Sequence, residues 1–247
     1  MIGISAIITG GAGGLGIAIA RTFLRRGVEV ALWDRTPTDD AVEQLSGEGP
    51  TVAGVECDIT DSAQVVDAWT ETELSVSPVD VVVNCAGIFR PTPIRELSDA
   101  QWERTLGVNL TGAFYLCRRA AEMWLASGIQ GAIVNIASNA ALNAAIFGAA
   151  DYGSSKAGMI GLTTQLAVEL APHGIRTNVV CPGQFRSPLN AERLAQPGAE
   201  DASLAMIPLG RIGMPEDIAT TVVHLALDAT YVNGAIVTVD GGVTSRM

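Results

Sequence analysis

Short runs of Val, Ile and Ala alternate along the chain with longer segments whose apolar residues recur every three or four positions. The runs read as strands at residues 4–9, 29–33, 51–56, 79–84, 131–137, 176–181 and 235–239. The longer segments read as helices at 14–26, 61–74, 110–126, 152–171 and 216–227. Strand, helix and strand in repetition is the pattern of βαβ units, which place helices on the faces of a parallel sheet. VDVVVN (79–84) and GAIVNIA (131–137) are almost continuously apolar, as strands covered on both faces are. Gly27 behind Arg25 and Arg26 marks a helix stop, and Pro215, Glu216 and Asp217 mark a start. The expected fold is α/β: one doubly wound parallel sheet of about seven strands flanked by helices, a single domain over residues 1–247.

The stretch from 123 to 150 has no charged residue and is long enough to suggest a membrane span. It also carries Ser127, Gln130, Asn135, Ser138, Asn139 and Asn143, too many polar groups to face lipid. It reads instead as a helix end, a buried strand and a polar loop. Residues 182–210 read as a mobile loop within the domain, with 188–206 as a lid.

Composition narrows the chemistry. Hydrophobic residues make up 48% of the 247 and charged residues 17%, enough to build a sizeable core. The net charge of −11 argues against nucleic acid, whose binding needs clustered Lys and Arg. Cys57, Cys85, Cys117 and Cys181 are widely spaced and form no CxxC pair, so they read as reduced thiols. His173 and His224 have no Cys or His at ligand spacing, so no metal centre is expected and both read as structural. The first residues lack the basic region of an export signal, which points to a cytoplasmic enzyme.

After the first strand comes TGGAGGLG (9–16), which runs into a helix. Glycines there let backbone N–H groups approach a pyrophosphate, and the helix N-terminus favours its charge. Asp34 ends the second strand, where a carboxylate can bond ribose hydroxyls and repel a 2′-phosphate. NAD is therefore expected over NADP, although Arg35 could swing toward such a phosphate. The plainer alternatives are a tight turn without a ligand and a surface Asp34. The pattern is that of a Rossmann-type fold.

Tyr152 and Lys156 lie four positions apart and share a helix face. Bringing a phenol from about pH 10 to about 7 takes roughly 4 kcal/mol. One cation about 4 Å away at an effective dielectric near 20 supplies that order of energy, so Lys156 suffices in magnitude.

TGxxxGxG (9–16), Asn84-Cys85-Ala86-Gly87, Asn109, Ser138, YxxxK (152–156) and Pro182-Gly183 follow one another as in the classical short-chain dehydrogenase/reductase family. The resemblance runs to Val239-Asp240-Gly241-Gly242 and covers essentially the whole chain. It implies that Tyr152 is the general acid/base, that Lys156 holds the nicotinamide ribose and lowers the tyrosine pKa, and that Ser138 bonds the developing alkoxide. Asn109 would position a water in a proton relay. Gly10, Gly14, Leu15, Gly16, Asp34 and Arg35 would hold the dinucleotide. Asp58 and Ile59 would meet the adenine, Asn84, Ala86 and Gly87 the adenosine ribose, and Pro182, Gly183 and Phe185 the nicotinamide. Substrate would lie against Ser138, Asn139, Asn143 and Tyr152, on a loop wall that also includes Ala140, Leu142 and Ala144.

Plainer alternatives stay open. Asn109 could satisfy backbone groups, Ser138 could cap a strand end, and Asp58 could cap the following helix. The chain departs from the family at Cys85, where a second Asn is usual and one sheet-connecting bond is at stake. The interval from Ser138 to Tyr152 is one residue longer than usual, and Ser187 stands where Thr is common. The implied activity is NAD-dependent interconversion of a small or medium secondary alcohol and its ketone. A 3-oxoacyl carrier-protein reductase using NADPH is the second expectation, and a non-catalytic nucleotide sensor the third. The family also implies a homotetramer, with a dimer second, and no membrane or nucleic-acid partner.

Overall fold

The structure is a computed structural model that describes residues 3–143, 148–187, 191 and 194–246. Its strands are β1 (Ser5–Thr9), β2 (Glu29–Asp34), β3 (Val52–Glu56), β4 (Val79–Asn84), β5 (Ala132–Ile136), β6 (Arg176–Pro182) and β7 (Ile236–Val239). They form one parallel sheet in the order β3-β2-β1-β4-β5-β6-β7. All seven expected strands are present, each within one residue of its expected ends. Chain direction across the sheet reverses beside β1, between β2 and β4, which opens a crevice at the carboxyl ends of these strands.

The pleat of β1 sends alternate side chains to two cores. Ala6 and Ile8 join Phe23 and Leu24 of α1 (Gly14–Leu24) with Ile218 and Val222 of α8 (Pro215–Val223). Ile7 joins Trp33 and Val82 with Trp69 of α3 (Ser62–Ser75) and Leu116 and Trp124 of α5 (Gly112–Ser127). Trp33 is fully buried, and its indole N–H donates to Thr72 Oγ1 at 2.8 Å. Thr72→Val should strand that donor and lower stability by about 1–3 kcal/mol in urea unfolding. An unchanged midpoint would show that the bond contributes nothing.

Three helices of only seven or eight residues were not expected from the sequence, being too short for periodicity to mark them. They are α2 (Asp39–Leu45), α4 (Asp99–Leu106), in which Thr105 is the buried residue, and α7 (Ala199–Met206), which has no buried residue. The segment expected as a loop at 182–210 therefore contains helix. The helix expected at 110 begins instead at Asp99, capped by Ser98, and passes through a π turn (Gly107–Thr111) into α5. The catalytic-motif helix, α6, spans Ala150–Leu170. Ala144 of the expected loop wall, and 188–190, 192 and 193 of the expected lid, lie outside the described residues.

Cys85 offers no amide, yet β4 and β5 are still joined through side chains. Asn84 Nδ2 donates to Asn135 Oδ1 at 2.8 Å, and Asn135 Nδ2 donates to Thr163 Oγ1 of α6 at 2.9 Å. The four cysteines are free thiols. Among the described residues no helix is long and apolar enough to cross a membrane, and no group of side chains could hold a metal ion.

Candidate active site

The glycine loop lies at the crevice between β1 and β4. Gly10 has φ +67, and a Cβ there would sit 2.9 Å from Ala86 Cα. A Cβ on Gly16 would collide with the Gly10 carbonyl oxygen. Both positions require glycine, and the helix start that follows, at Gly14, Leu15 and Gly16, has no side-chain cap. Thr9 Oγ1 ties the loop to the turn after β4 by accepting the N–H groups of Cys85 and Ala86, each at 3.1 Å.

Asp34 closes one end of this cradle. One carboxylate oxygen accepts the Ala12 N–H at 3.2 Å, and the other accepts Thr36 N–H and Oγ1. Arg35 is exposed, with Asp39 and Asp40 exposed on the following helix. Asp58 holds its own turn by accepting Thr60 N–H and Oγ1, while Asp61 caps α3. Ile59 is buried, in a place where a Cβ on Gly112 would reach it. Asn84 is turned away from the crevice, its amide engaged with Asn135 and Cys117, so only its backbone and those of Ala86 and Gly87 border the ribose position.

The other end lies at the tips of β5 and β6. Ser138 follows β5, where its Oγ accepts the Ala140 N–H at 3.1 Å and also hydrogen-bonds Tyr152. Lys156 is 3% exposed, and its ammonium donates to the Ile136 carbonyl at 2.8 Å. A Cβ on Gly87 would lie 3.3 Å from Lys156 Nζ and 3.5 Å from Asn109 Oδ1, so a side chain there would crowd both groups, while the glycine itself is exposed. Pro182 pairs with Val239 in the sheet, and a Cβ on Gly183 would run into Asp240. Phe185 is bridged to Gly213 and packs against the α1 side of the core.

Burial governs the titration of this cluster. It pushes the Tyr152 phenol above its usual value, opposed by the hydrogen bond with Ser138. It lowers Lys156 to about 8, countered by the thiols Cys85 and Cys181. Cys181 itself is raised to about 11, chiefly by burial, though it accepts the Ser138 backbone N–H. Lys156 is not among the groups that shift the phenol here. The ammonium is committed to Ile136 and lies 5.8 Å from the Tyr152 ring centroid.

Asn109 is fully buried in the π turn. Its Oδ1 accepts Ile88 N–H at 2.8 Å, and its Nδ2 donates to the Ile88 carbonyl and to Ser155 Oγ. The amide therefore joins the Ile88 backbone to the Ser155 hydroxyl. Ser155 in turn donates to the Tyr152 carbonyl. Asn139 is half-buried, and Asn143 Oδ1 is hidden without a hydrogen-bond partner. Sequence reasoning missed Phe89, whose ring lies 4.8 Å from that of Tyr152, and Asp151, a buried carboxylate beside it. An acid directly before the motif tyrosine was the one available signal.

Residues 10–244 match the family model described as enoyl-(acyl carrier protein) reductase, a branch of the short-chain dehydrogenases. The chain belongs to the short-chain dehydrogenase/reductase family. It is 38% identical to 3beta-hydroxysteroid dehydrogenase 1 of Eggerthella lenta, over 98% of this chain and 94% of that protein. Among solved structures it is similar to a candidate 2-deoxy-D-gluconate 3-dehydrogenase of Agrobacterium tumefaciens with bound NADP. That match has TM-score 0.92 and 34% identity, and covers 100% of this chain and 98% of the other. It is also similar to a 4-hydroxyisoleucine dehydrogenase in complex with NADH, with TM-score 0.89, 32% identity and 98% of each chain covered. The glycine cradle and the bare surface at Gly87 fit a nicotinamide dinucleotide, the cofactor type of both structures.

Proposed function

We propose that this short-chain dehydrogenase/reductase is an NAD-dependent enzyme that interconverts a small or medium secondary alcohol and its ketone. The observation that carries the reading is the convergence of Tyr152, Ser138 and Lys156 at the tips of β5 and β6, beside the opening over Gly87. When bound, the nicotinamide accepts or supplies the hydride.

The rest is done by this chain. The uncapped start of α1 binds the pyrophosphate and Asp34 the adenosine ribose, with Asp58 and Ile59 toward the adenine. Pro182, Gly183 and Phe185 border the nicotinamide. Lys156, held by the Ile136 carbonyl, binds the nicotinamide ribose. In reduction Tyr152 Oη gives its proton to the carbonyl oxygen as that oxygen gains charge; in oxidation it takes the hydroxyl proton. Ser138 Oγ donates to the same oxygen and stabilises its developing charge. Asn109 fixes the Tyr152 turn through Ser155 and orders the relay beside Lys156. Asn139 and Asn143 face the substrate, and the segment 188–206 serves as its lid. The reading includes a cytoplasmic homotetramer, and exposed Phe114 and Leu125 on α5 and Val168 on α6 support these helices as a subunit interface.

The fixed carboxylate of Asp34 supports NAD over NADP. A 2′-phosphate there meets a like charge, which costs several kcal/mol. NADH should therefore exceed NADPH in kcat/KM by about 30-fold or more, and Asp34→Ser should narrow that gap. Equal use of both cofactors by the unaltered enzyme would overturn the assignment. A carrier-protein substrate with NADPH is the second reading, favoured by the family model's description. It requires a basic docking surface, whereas exposed Arg90, Arg95 and Arg104 are interleaved with Glu96, Asp99 and Glu103.

A further inference from the structure

Phe89 is a large apolar ring left 39% exposed on a segment outside any helix or strand, yet that segment is fixed from several sides. Asn109 grips Ile88 at both its N–H and its carbonyl. Gln101 Nε2 donates to the Arg90 carbonyl at 3.3 Å and to Thr92 Oγ1 at 2.9 Å, and the Thr92 N–H donates to the Gly148 carbonyl at 2.8 Å. Gln101 also reaches Asp151 at 3.5 Å. The Asp151 carboxylate, 1% exposed, takes Thr105 Oγ1 at 2.7 Å and the Tyr152 backbone N–H at 2.8 Å. This clamp joins the loop bearing Phe89 to the helical turn bearing Tyr152.

The two rings are tilted at 53° with centroids 4.8 Å apart, within the favoured range for aromatic pairs. Ordering this ring costs conformational entropy, and the 39% of the residue left exposed returns nothing until something covers it. Phe89 packs at a tilt against Tyr152, and its exposed surface offers carbon and no hydrogen bond. A hydroxylated substituent against such a wall loses water without replacement.

We propose that Phe89 is a specificity-determining residue of this site, the wall against which the apolar arm of a secondary alcohol packs while its oxygen meets Tyr152. The inference rests on the function proposed above and deepens it: alcohols bearing a hydrocarbon ring or branched alkyl arm are selected over polyols. Asp151 and Gln101 act as positioning residues for that wall.

The test compares kcat/KM for cyclohexanol and erythritol with NAD and with NADP. The unaltered enzyme should favour cyclohexanol, and Phe89→Ala should lower the ratio by about tenfold, the scale of a lost apolar contact, mainly through the KM of cyclohexanol. Phe89→Tyr, which keeps the ring face, should restore the ratio. Gln101→Leu, which keeps the ring but cuts the clamp, should lower it. An unchanged ratio in Phe89→Ala, or a preference of the unaltered enzyme for erythritol, overturns the role of Phe89 and leaves the dehydrogenase reading standing. Turnover of no alcohol with either cofactor removes that reading, and the inference with it.

Discussion

Tyr152→Phe should lower turnover about 10³- to 10⁴-fold while leaving the fold and the affinity for NAD in place. The substitution removes one oxygen. Ser138 keeps its bond from Ala140 N–H, Ser155 still donates to the backbone carbonyl at position 152, and Lys156 keeps the Ile136 carbonyl. The loss therefore falls on proton transfer. Steady-state oxidation and reduction, followed by nicotinamide absorbance, measure the first effect, and fluorescence titration with NADH measures the second. Activity within tenfold of the unaltered enzyme would remove Tyr152 from the chemistry. Loss of NADH binding together with activity would make its role structural. The pH dependence has a definite sign. Burial raises the phenol, so its proton is held through neutrality and reduction stays available there. Oxidation needs the phenolate and should accelerate as pH rises.

The second large effect is on stability. Lys156→Met should abolish turnover and make the protein more stable at pH 7. Lys156 is the only lysine in the sequence, and burial lowers its pKa from 10.5 to about 8. A lowered lysine pKa means that the folded state disfavours the charged form. The cost is present in full below about pH 8 and fades as pH rises toward 10.5, because in that window the unfolded chain binds the proton and the folded chain does not. The shift corresponds to about 3 kcal/mol. Losing the bond to Ile136 offsets about 1 kcal/mol, so about 2 kcal/mol of stabilisation remains. Urea unfolding of both proteins at pH 7 and pH 10 checks this, since the variant's advantage should shrink at the higher pH. A less stable variant at pH 7 would show that the buried ammonium holds the site together instead of straining it.

The sheet was legible because each strand is a short apolar run between helices, and a parallel sheet covered on both faces leaves that mark directly in the sequence. Tyr152, Ser138 and Lys156 were legible through their spacing, and the structure places all three at one end of β5 and β6. What could not be read depends on polar contacts between distant positions. Asp151 meets Thr105 and Gln101 across 46 and 50 residues, and α4, which supplies both partners, is a short helix with only Ala100, Trp102 and Leu106 apolar. The Ile136 carbonyl that accepts the Lys156 ammonium was out of reach for a similar reason: helix spacing gives the shared face with Tyr152 but not the strand beneath it. Phe89 lay just beyond the Asn84–Gly87 motif, and only the ring contact shows what it covers.

The strand order also has a consequence for folding. No neighbouring pair in the sheet can form as a hairpin, since every pair is parallel. β1 meets β2 across 24 residues (Ser5↔Glu29) but meets β4 only across 74 (Ser5↔Val79). The dinucleotide crevice is the seam between these two pairings, so it comes into being only when the longer closure is complete. Such non-local topology folds slowly, and a half-assembled chain has no crevice to bind with. A nicotinamide dinucleotide therefore stabilises the finished sheet by mass action and gives its intermediates nothing.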